Sequence, residues 1–345
     1  MLVVSAPAQD AALRGFDPVA LVGGKELEGK PELTADHGGF RYRFATDENR
    51  AAFAASPERY EVQFGGACAR MGPLSGAGDT GRFHVHAERI YVFASDQCRD
   101  GFKKKPEAFL PQDEPAPTPS ADAVEAGKAL VRRAAEAHGG AKRLQALRTL
   151  KFQRSTANGN TTELVRTSVQ FPDSSRVDQD FLQGDKVWRY ARAVAPGGSF
   201  FATQGTGRPM APSAEREMRR DLAREPLLAL RAALDGGAFV QPAGKRTVLG
   251  IDVEEVAIWC DGYTTTLGLD TDGRVRTARC RARGGSLWFG ALELRFDDLQ
   301  THGGVLVPST VVASFDGKPD AALSERRQEI AVDEDLPAGM FTAPK

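Results

Sequence analysis

The chain of 345 residues predicts an α+β protein in two parts: a small duplicated strand–helix domain, then one long antiparallel sheet curved around helices. Three observations carry this. Residues 37–60 and 86–109 are two copies of one unit, offset by 49, with nine identities in 24 positions. A proline-rich stretch follows at 111–120. After it, many short runs alternate in period two and are punctuated by Gly-containing turns, with little βαβ alternation.

In the second copy, Arg82–His86 and Arg89–Phe93 read as a hairpin about Ala87-Glu88, which sets His84 opposite Tyr91 and His86 opposite Arg89. Ser95 then caps a helix carrying Asp96 in its first turn. Thr46 and Asp47 do the same in the first copy. Tyr42 and Phe44, like Tyr91 and Phe93, share a strand face that meets the helix through Phe53 and Phe102. Asn49 of the first copy is Cys98 in the second.

Pro111, Pro115, Pro117 and Pro119 mark a semi-rigid extended linker. An amphipathic helix at 123–137 stops at Gly139-Gly140, with His138 placed to meet terminal carbonyls. Strands are predicted near 149–157, 161–171, 176–182, 186–194, 199–204, 246–250, 253–260, 264–269, 274–283, 286–297 and 305–315, divided by a helical stretch at 213–235. The domain plan is a residual signal or disordered segment 1–13, a first domain 14–111, a linker 112–121 and a second domain 122–345.

Charge is balanced, with 45 basic and 46 acidic residues, so no nucleic-acid partner is expected. No apolar run reaches membrane-span length. Ala6-Pro7-Ala8 after Leu2-Val3-Val4 has the small-residue spacing of a signal-peptidase site, which predicts export. Gly76-Ala-Gly78-Asp-Thr-Gly81 spells a dinucleotide fingerprint but precedes a strand, so it is a loop. Asp270-Thr-Asp272-Gly273 is a hairpin turn. The arginines of 216–224 are interleaved with acids, as on a solvated helix face.

Four cysteines fall two per half. The turns predict Cys260 opposite Tyr263 and Tyr263 opposite Cys280, leaving those two thiols unbridged. For Cys68 and Cys98 three readings stand. They form a metal site with His84 and His86, whose thiolate and imidazole groups suit zinc or copper. They form a disulfide. Or they are buried thiols. Cys98 at a helix start favours a thiolate.

The segments Gly15-Phe16-Asp17-Pro18-Val19-Ala20, Phe64-Gly65-Gly66-Ala67-Cys68-Ala69 and Arg89-Ile90-Tyr91-Val92-Phe93 resemble the YHS domain, which implies a transition-metal site. Ala137-His138-Gly139-Gly140 with Leu144-Gln145-Ala146-Leu147, Phe296-Asp297-Asp298, Gly304-Val305-Leu306-Val307-Pro308 and Met340-Phe341-Thr342-Ala343-Pro344 resemble the periplasmic lipoprotein-carrier superfamily. That resemblance implies a half-barrel with helices on its concave side, holding a lipid or other apolar ligand. Trp188, Phe200, Phe201, Trp259, Trp288 and Phe289 are the candidate ligand-lining residues. No catalytic constellation emerges, so the expected function is that of a periplasmic or otherwise exported, non-enzymatic binding protein; the alternatives are a thiol redox or metal-handling protein using Cys68 and Cys98, or a structural envelope component with no active site.

Overall fold

The computed structural model describes residues 11–284 and 288–344. The expected cleavage site at Ala6-Pro7-Ala8 lies outside the described residues. The chain divides into two compact units, Met1–Pro111 with Ala211–Glu217, and Gln112–Met210 with Met218–Lys345. The fold is mixed helix and strand with open, curved antiparallel sheets.

The first unit contains α1 (Pro18–Val22), a hairpin of β1 (Lys30–His37) and β2 (Phe40–Phe44), then α2 (Asp47–Ala55) and α3 (Pro57–Tyr60). A second hairpin, β3 (Asp79–His86) and β4 (Arg89–Phe93), leads to α4 (Asp96–Lys104). The caps are the expected ones: the Asn49 amide donates to Thr46 Oγ1 and the Cys98 amide to Ser95 Oγ, both at 3.2 Å. Phe53 packs on Tyr42 and Phe44 at centroid distances of 4.9 and 5.3 Å. Phe102 packs on Tyr91 and Phe93 at 5.4 and 5.1 Å. Both phenylalanines are buried, each stabilising its half by roughly 1.5–3 kcal/mol.

The duplication runs deeper than the repeat in the sequence. Leu13 and Arg14 take left-handed φ values of 58° and 57°, and Phe64 and Gly65 take 60° and 58°. The Gly29 amide donates to the Gly15 carbonyl at 2.8 Å, as the Gly78 amide does to Gly66 at 2.7 Å. Up to Gly15 and Gly66 the offset is 51, and by Gly29 and Gly78 it is 49, because the second copy is two residues shorter between these points.

The second unit begins with α5 (Ala121–Ala137) and α6 (Ala141–Gln145). Six strands follow: β5 (Thr149–Asn158), β6 (Thr161–Gln170), β7 (Ser174–Gln183), β8 (Lys186–Val194), β9 (Phe200–Thr203) and β10 (Thr206–Pro209). Helices α7 (Pro212–Leu222) and α8 (Pro226–Leu234) lead into β11 (Phe239–Val248), β12 (Ile251–Cys260), β13 (Tyr263–Leu269), β14 (Val275–Arg283), β15 (Phe289–His302) and β16 (Val305–Phe315). Three short strands close the chain, β17 (Lys318–Pro319), β18 (Glu325–Arg326) and β19 (Gln328–Val332).

The expected single sheet is two. One runs β10-β9-β8-β7-β6-β5-β19, the other β11-β12-β13-β14-β15-β16-β17. The α7–α8 excursion separates β10 from β11, and the chain's last strands join the sheets instead. β18 pairs with β16 of the second sheet, and β19, two residues on, pairs with β5 of the first. Val131, Ala134, Leu144 and Leu230 of the helices share one core with Val256, Ile258, Leu267 and Phe296 of the strands.

His138 ends α5, as expected, but it is fully buried and reaches across to the strands. Its Nδ1 donates to the Leu306 carbonyl at 2.9 Å and its Nε2 accepts from the Val275 amide at 3.0 Å, which assigns the neutral Nδ1–H tautomer. One expected register is corrected. Cys260 does face Tyr263, but an irregularity at Gly268/Leu269 shifts β13 against β14 so that Thr266 faces Arg279. That pairing moves Cys280 from Tyr263 to the level of Thr265. Both thiols are free. Burial pushes Cys280 up to about 11. The Pro-rich segment is extended yet docked: the Glu114 amide donates to Gly262 at 2.7 Å and its carbonyl accepts from Trp259 Nε1 at 3.1 Å.

Candidate functional site

The structure brings Cys68 and Cys98 together. Cys68 is fully buried, held by a strand-like segment whose Ala69 amide bonds the Val92 carbonyl at 2.9 Å. Cys98, in the first turn of α4, is half-buried and packs against the same cluster, formed by Ala69, Tyr91, Phe93, Phe102 and Phe109. The two thiols are within hydrogen-bonding reach of each other, and both are free. Burial pushes the Cys68 thiol up. Burial acts the same way on Cys98, but the Ser95 hydroxyl, the Cys68 thiol and the Arg70 guanidinium outweigh it and hold Cys98 below the ordinary thiol value.

The expected imidazoles do not join them. The hairpin register is the predicted one, His84 opposite Tyr91 and His86 opposite Arg89. His86, however, lies edge-on to Phe102 at 6.2 Å with Nε2 3.3 Å from Glu107. His84 is held below the usual imidazole value by burial and by the charges of Lys103, His86 and Arg99. Cys98 and Phe102 share one face of α4 and Arg99 and Lys103 another; His84 meets the second, and His86 meets Phe102, one turn beyond Cys98. Cations around His84 would also repel a metal ion. Among the described residues no group of three or more His, Cys, Asp or Glu side chains could hold a metal, so the set Cys68, Cys98, His84 and His86 is not assembled as a zinc or copper site.

The second unit holds a cavity of about 450 Å³ between α7, α8 and strands of both sheets. Val169, Phe171, Leu222, Leu228, Ile258 and Tyr263 line its apolar wall. Arg219 and Arg231 stand at its polar edge with Asp173, Asp235 and Asp261. Arg231 is already engaged, Nε to Asp235 at 2.5 Å, Nη1 to the Leu144 carbonyl at 3.0 Å and its guanidinium 5.8 Å from the Phe171 ring. The arginines of 216–224 are therefore not all on a solvated face: Arg219 reaches this cavity, and Arg224 lines a smaller, charged one with Glu225 and Arg327.

None of the six aromatic residues expected to line a ligand site lines this cavity. Ile258 and Cys260 face into it, so Trp259 between them points to the other side of β12, where it packs on Phe239 at 5.6 Å. Phe200 is buried in a separate small cluster with Ala193 and Ala202. Phe201 and Phe289 lie under Arg208 and Arg283 at 4.6 and 4.5 Å. Trp188 and Trp288 are 36% and 41% exposed, the latter donating to Asp316 at 3.2 Å. Strand alternation in β6 and β12 could have indicated the true wall. Aromatic size alone could not.

No model of a known protein family matches the chain, no curated protein matches it, and nothing found supports the YHS resemblance of residues 14–111. Among solved structures, a DUF1329 family protein from Desulfovibrio piger is 12% identical, with 64% of this chain and 97% of that one covered at a TM-score of 0.37. A LolA superfamily protein from Nitrosomonas europaea is 14% identical, with 63% and 97% covered at a TM-score of 0.34. At TM-scores and identities this low, the likeness carries no argument about ligand, activity or location.

Proposed function

We propose that this chain is an exported, non-enzymatic binding protein of the cell envelope whose second unit holds an apolar chain such as a lipid acyl group. The single observation behind this reading is the open cavity under α7 and α8, at about 450 Å³. That volume falls within the roughly 300–1,000 Å³ usual for small-molecule sites, as does its apolar wall with a few polar groups at one edge. The envelope setting is part of the same proposal and is supported by the carrier-like motifs of the second half.

The test is displacement of a dansyl-labelled fatty acid from the full chain, with mass spectrometry of its organic extract. Ala232, on the cavity wall, is replaced by tryptophan to fill the space. Ala232→Trp is expected to weaken the probe at least tenfold, by about 1.4 kcal/mol or more, with its thermal transition retained. Trp188→Ala, outside the cavity, leaves affinity unchanged. Equal binding by Ala232→Trp and the unmodified chain, or an extract without lipid, rejects the reading.

A further inference from the structure

The two halves of the first unit close the same junction with different chemistry. In the first half, Asp17 is fully buried. Its Oδ1 accepts from the amides of Val19 and Ala20 at 2.9 and 3.1 Å, and its Oδ2 from the Ala45 amide and Asn49 Nδ2, both at 2.7 Å. Four donors saturate the carboxylate, a static lock between the start of α1 and the start of α2. Cys68 occupies the equivalent place in the second half: Phe16 bridges Glu28 just before Asp17, and Ala67 bridges Ala77 just before Cys68. Ala94 corresponds to Ala45 and Cys98 to Asn49, and Cys68 meets both. A carboxyl–amide pair whose carboxyl group takes four hydrogen bonds has become two thiols, which are weak hydrogen-bond partners and hold the junction poorly unless joined.

A cation accompanies the thiols. Arg70 stands where the first half has Val19 and lies beside Cys98. Its Nε is buried without a hydrogen-bond partner among the described residues, and its guanidinium is 5.9 Å from the Phe109 ring. It fits because residue 101 is glycine: a Cβ there would lie 2.9 Å from Arg70 Nε. The corresponding residue of the first half is Ala52. A half-buried sulfur at a helix start, a buried sulfur behind it and a guanidinium beside it form an electropositive, partly open thiol environment of the kind that reacts.

We propose that Cys68 and Cys98 are a thiol–disulfide exchange site, with Cys98 as the attacking sulfur, Cys68 as the resolving sulfur, and an accessible disulfide R–S–S–R as substrate. The Cys98 thiolate forms a bond to one substrate sulfur while the S–S bond breaks, and the released RS⁻ takes up the proton that Cys98 gave up. Cys68 then loses its proton, its sulfur bonds to Cys98 Sγ, and the second RS⁻ leaves and is protonated. The dithiol is oxidised to a disulfide by two electrons, and R–S–S–R is reduced to two R–SH. Cys68 is too buried to meet the substrate first, so the order follows from exposure. Arg70 is a positioning residue that stabilises the attacking thiolate.

The test uses the reduced full chain mixed with oxidised glutathione, or in a parallel arm with a disulfide-cyclised peptide, quenched in acid, alkylated and peptide-mapped over time. An adduct on Cys98 is expected first, then a Cys68–Cys98 disulfide with release of both substrate thiols. The faster arm tells whether the disulfide source is a small molecule or a polypeptide. Cys68→Ser should stop at the Cys98 adduct, and Arg70→Gln should slow the first step by about fivefold. Should Cys68→Ser not fold, the time course on the unmodified chain decides alone. A Cys98 adduct that persists there, initial attack by Cys68, or one tightly held zinc per chain that blocks both thiols overturns the proposal.

Discussion

Arg327 lies between β18 and β19, at the seam between the two sheets, and its side chain is 2% exposed. Its Nη1 and Nη2 donate to Glu225 at 2.8 and 2.6 Å and its Nε to Glu325 at 2.6 Å, with the guanidinium 4.2 Å from the Phe152 ring. Glu225 sits at the start of α8, so one cation ties the seam to the helix that covers the cavity. Replacing Arg327 by methionine keeps much of the volume and strands two mostly buried carboxylates. Glu325 keeps Arg154 at 3.6 Å. Three charge-assisted bonds at about 1.5–3 kcal/mol each would suggest a larger loss, but the desolvation of the cation offsets part of it. The expected cost is about 3–5 kcal/mol, the usual range for breaking a buried pair from one side. Arg327→Met/Glu225→Gln removes one orphan charge and should recover about 1–2 kcal/mol of that loss. All three tryptophans lie in the second unit, so urea unfolding followed by tryptophan fluorescence reads this unit alone. A loss under about 1 kcal/mol for Arg327→Met would refute the argument, because it would mean that water already solvates the pair.

Burial holds His138 below the ordinary imidazole value, so the unfolded chain takes up a proton that the folded unit refuses. Its contribution to stability is full above about pH 6.5 and is lost as pH falls below it, with a slope of up to about 1.36 kcal/mol per pH unit. Urea midpoints between about pH 5 and 8 should show that slope, and His138→Gln should flatten the difference; parallel profiles would count against it. Asp17→Ala removes four hydrogen bonds from a buried junction and is expected to cost about 3 kcal/mol or more, read as faster hydrogen exchange at the amides of Val19, Ala20 and Ala45. Unchanged protection there would mean that the carboxylate is no lock. Gly139 has φ +113° and a Cβ there would meet the Gly304 carbonyl oxygen at 2.3 Å. Gly139→Ala should therefore lower stability by more than about 2 kcal/mol, visible in the same urea titration.

Local order was legible because it depends on local chemistry. The Thr46 and Ser95 caps, the stop at Gly139-Gly140 and the His84–Tyr91 register follow from capping groups, left-handed turn positions and period-two alternation. The cavity was not. Aromatic size does not mark its wall: Trp259 faces away because its neighbours Ile258 and Cys260 face inward, and a period of two leaves no third direction. The thiol site was half legible. Cys98 at a helix start is visible in the chain, but its pairing with Cys68 as the counterpart of Asn49 with Asp17 is hidden by the change of offset from 49 to 51.

The chain alone determined the duplicated hairpin–helix units, the longer strands of the second unit but not β10 or β17 to β19, and the balance of charge, since each rests on residues within a few positions of one another. Tertiary structure decided how many sheets those strands make, which side of β12 faces the cavity, and that among the described residues the thiols and histidines form no group able to hold a metal. Those outcomes depend on long-range pairing, as in the β16–β18 and β5–β19 seam. A one-residue register shift, as at Gly268/Leu269, or a single buried arginine redirects such pairing without leaving a local trace.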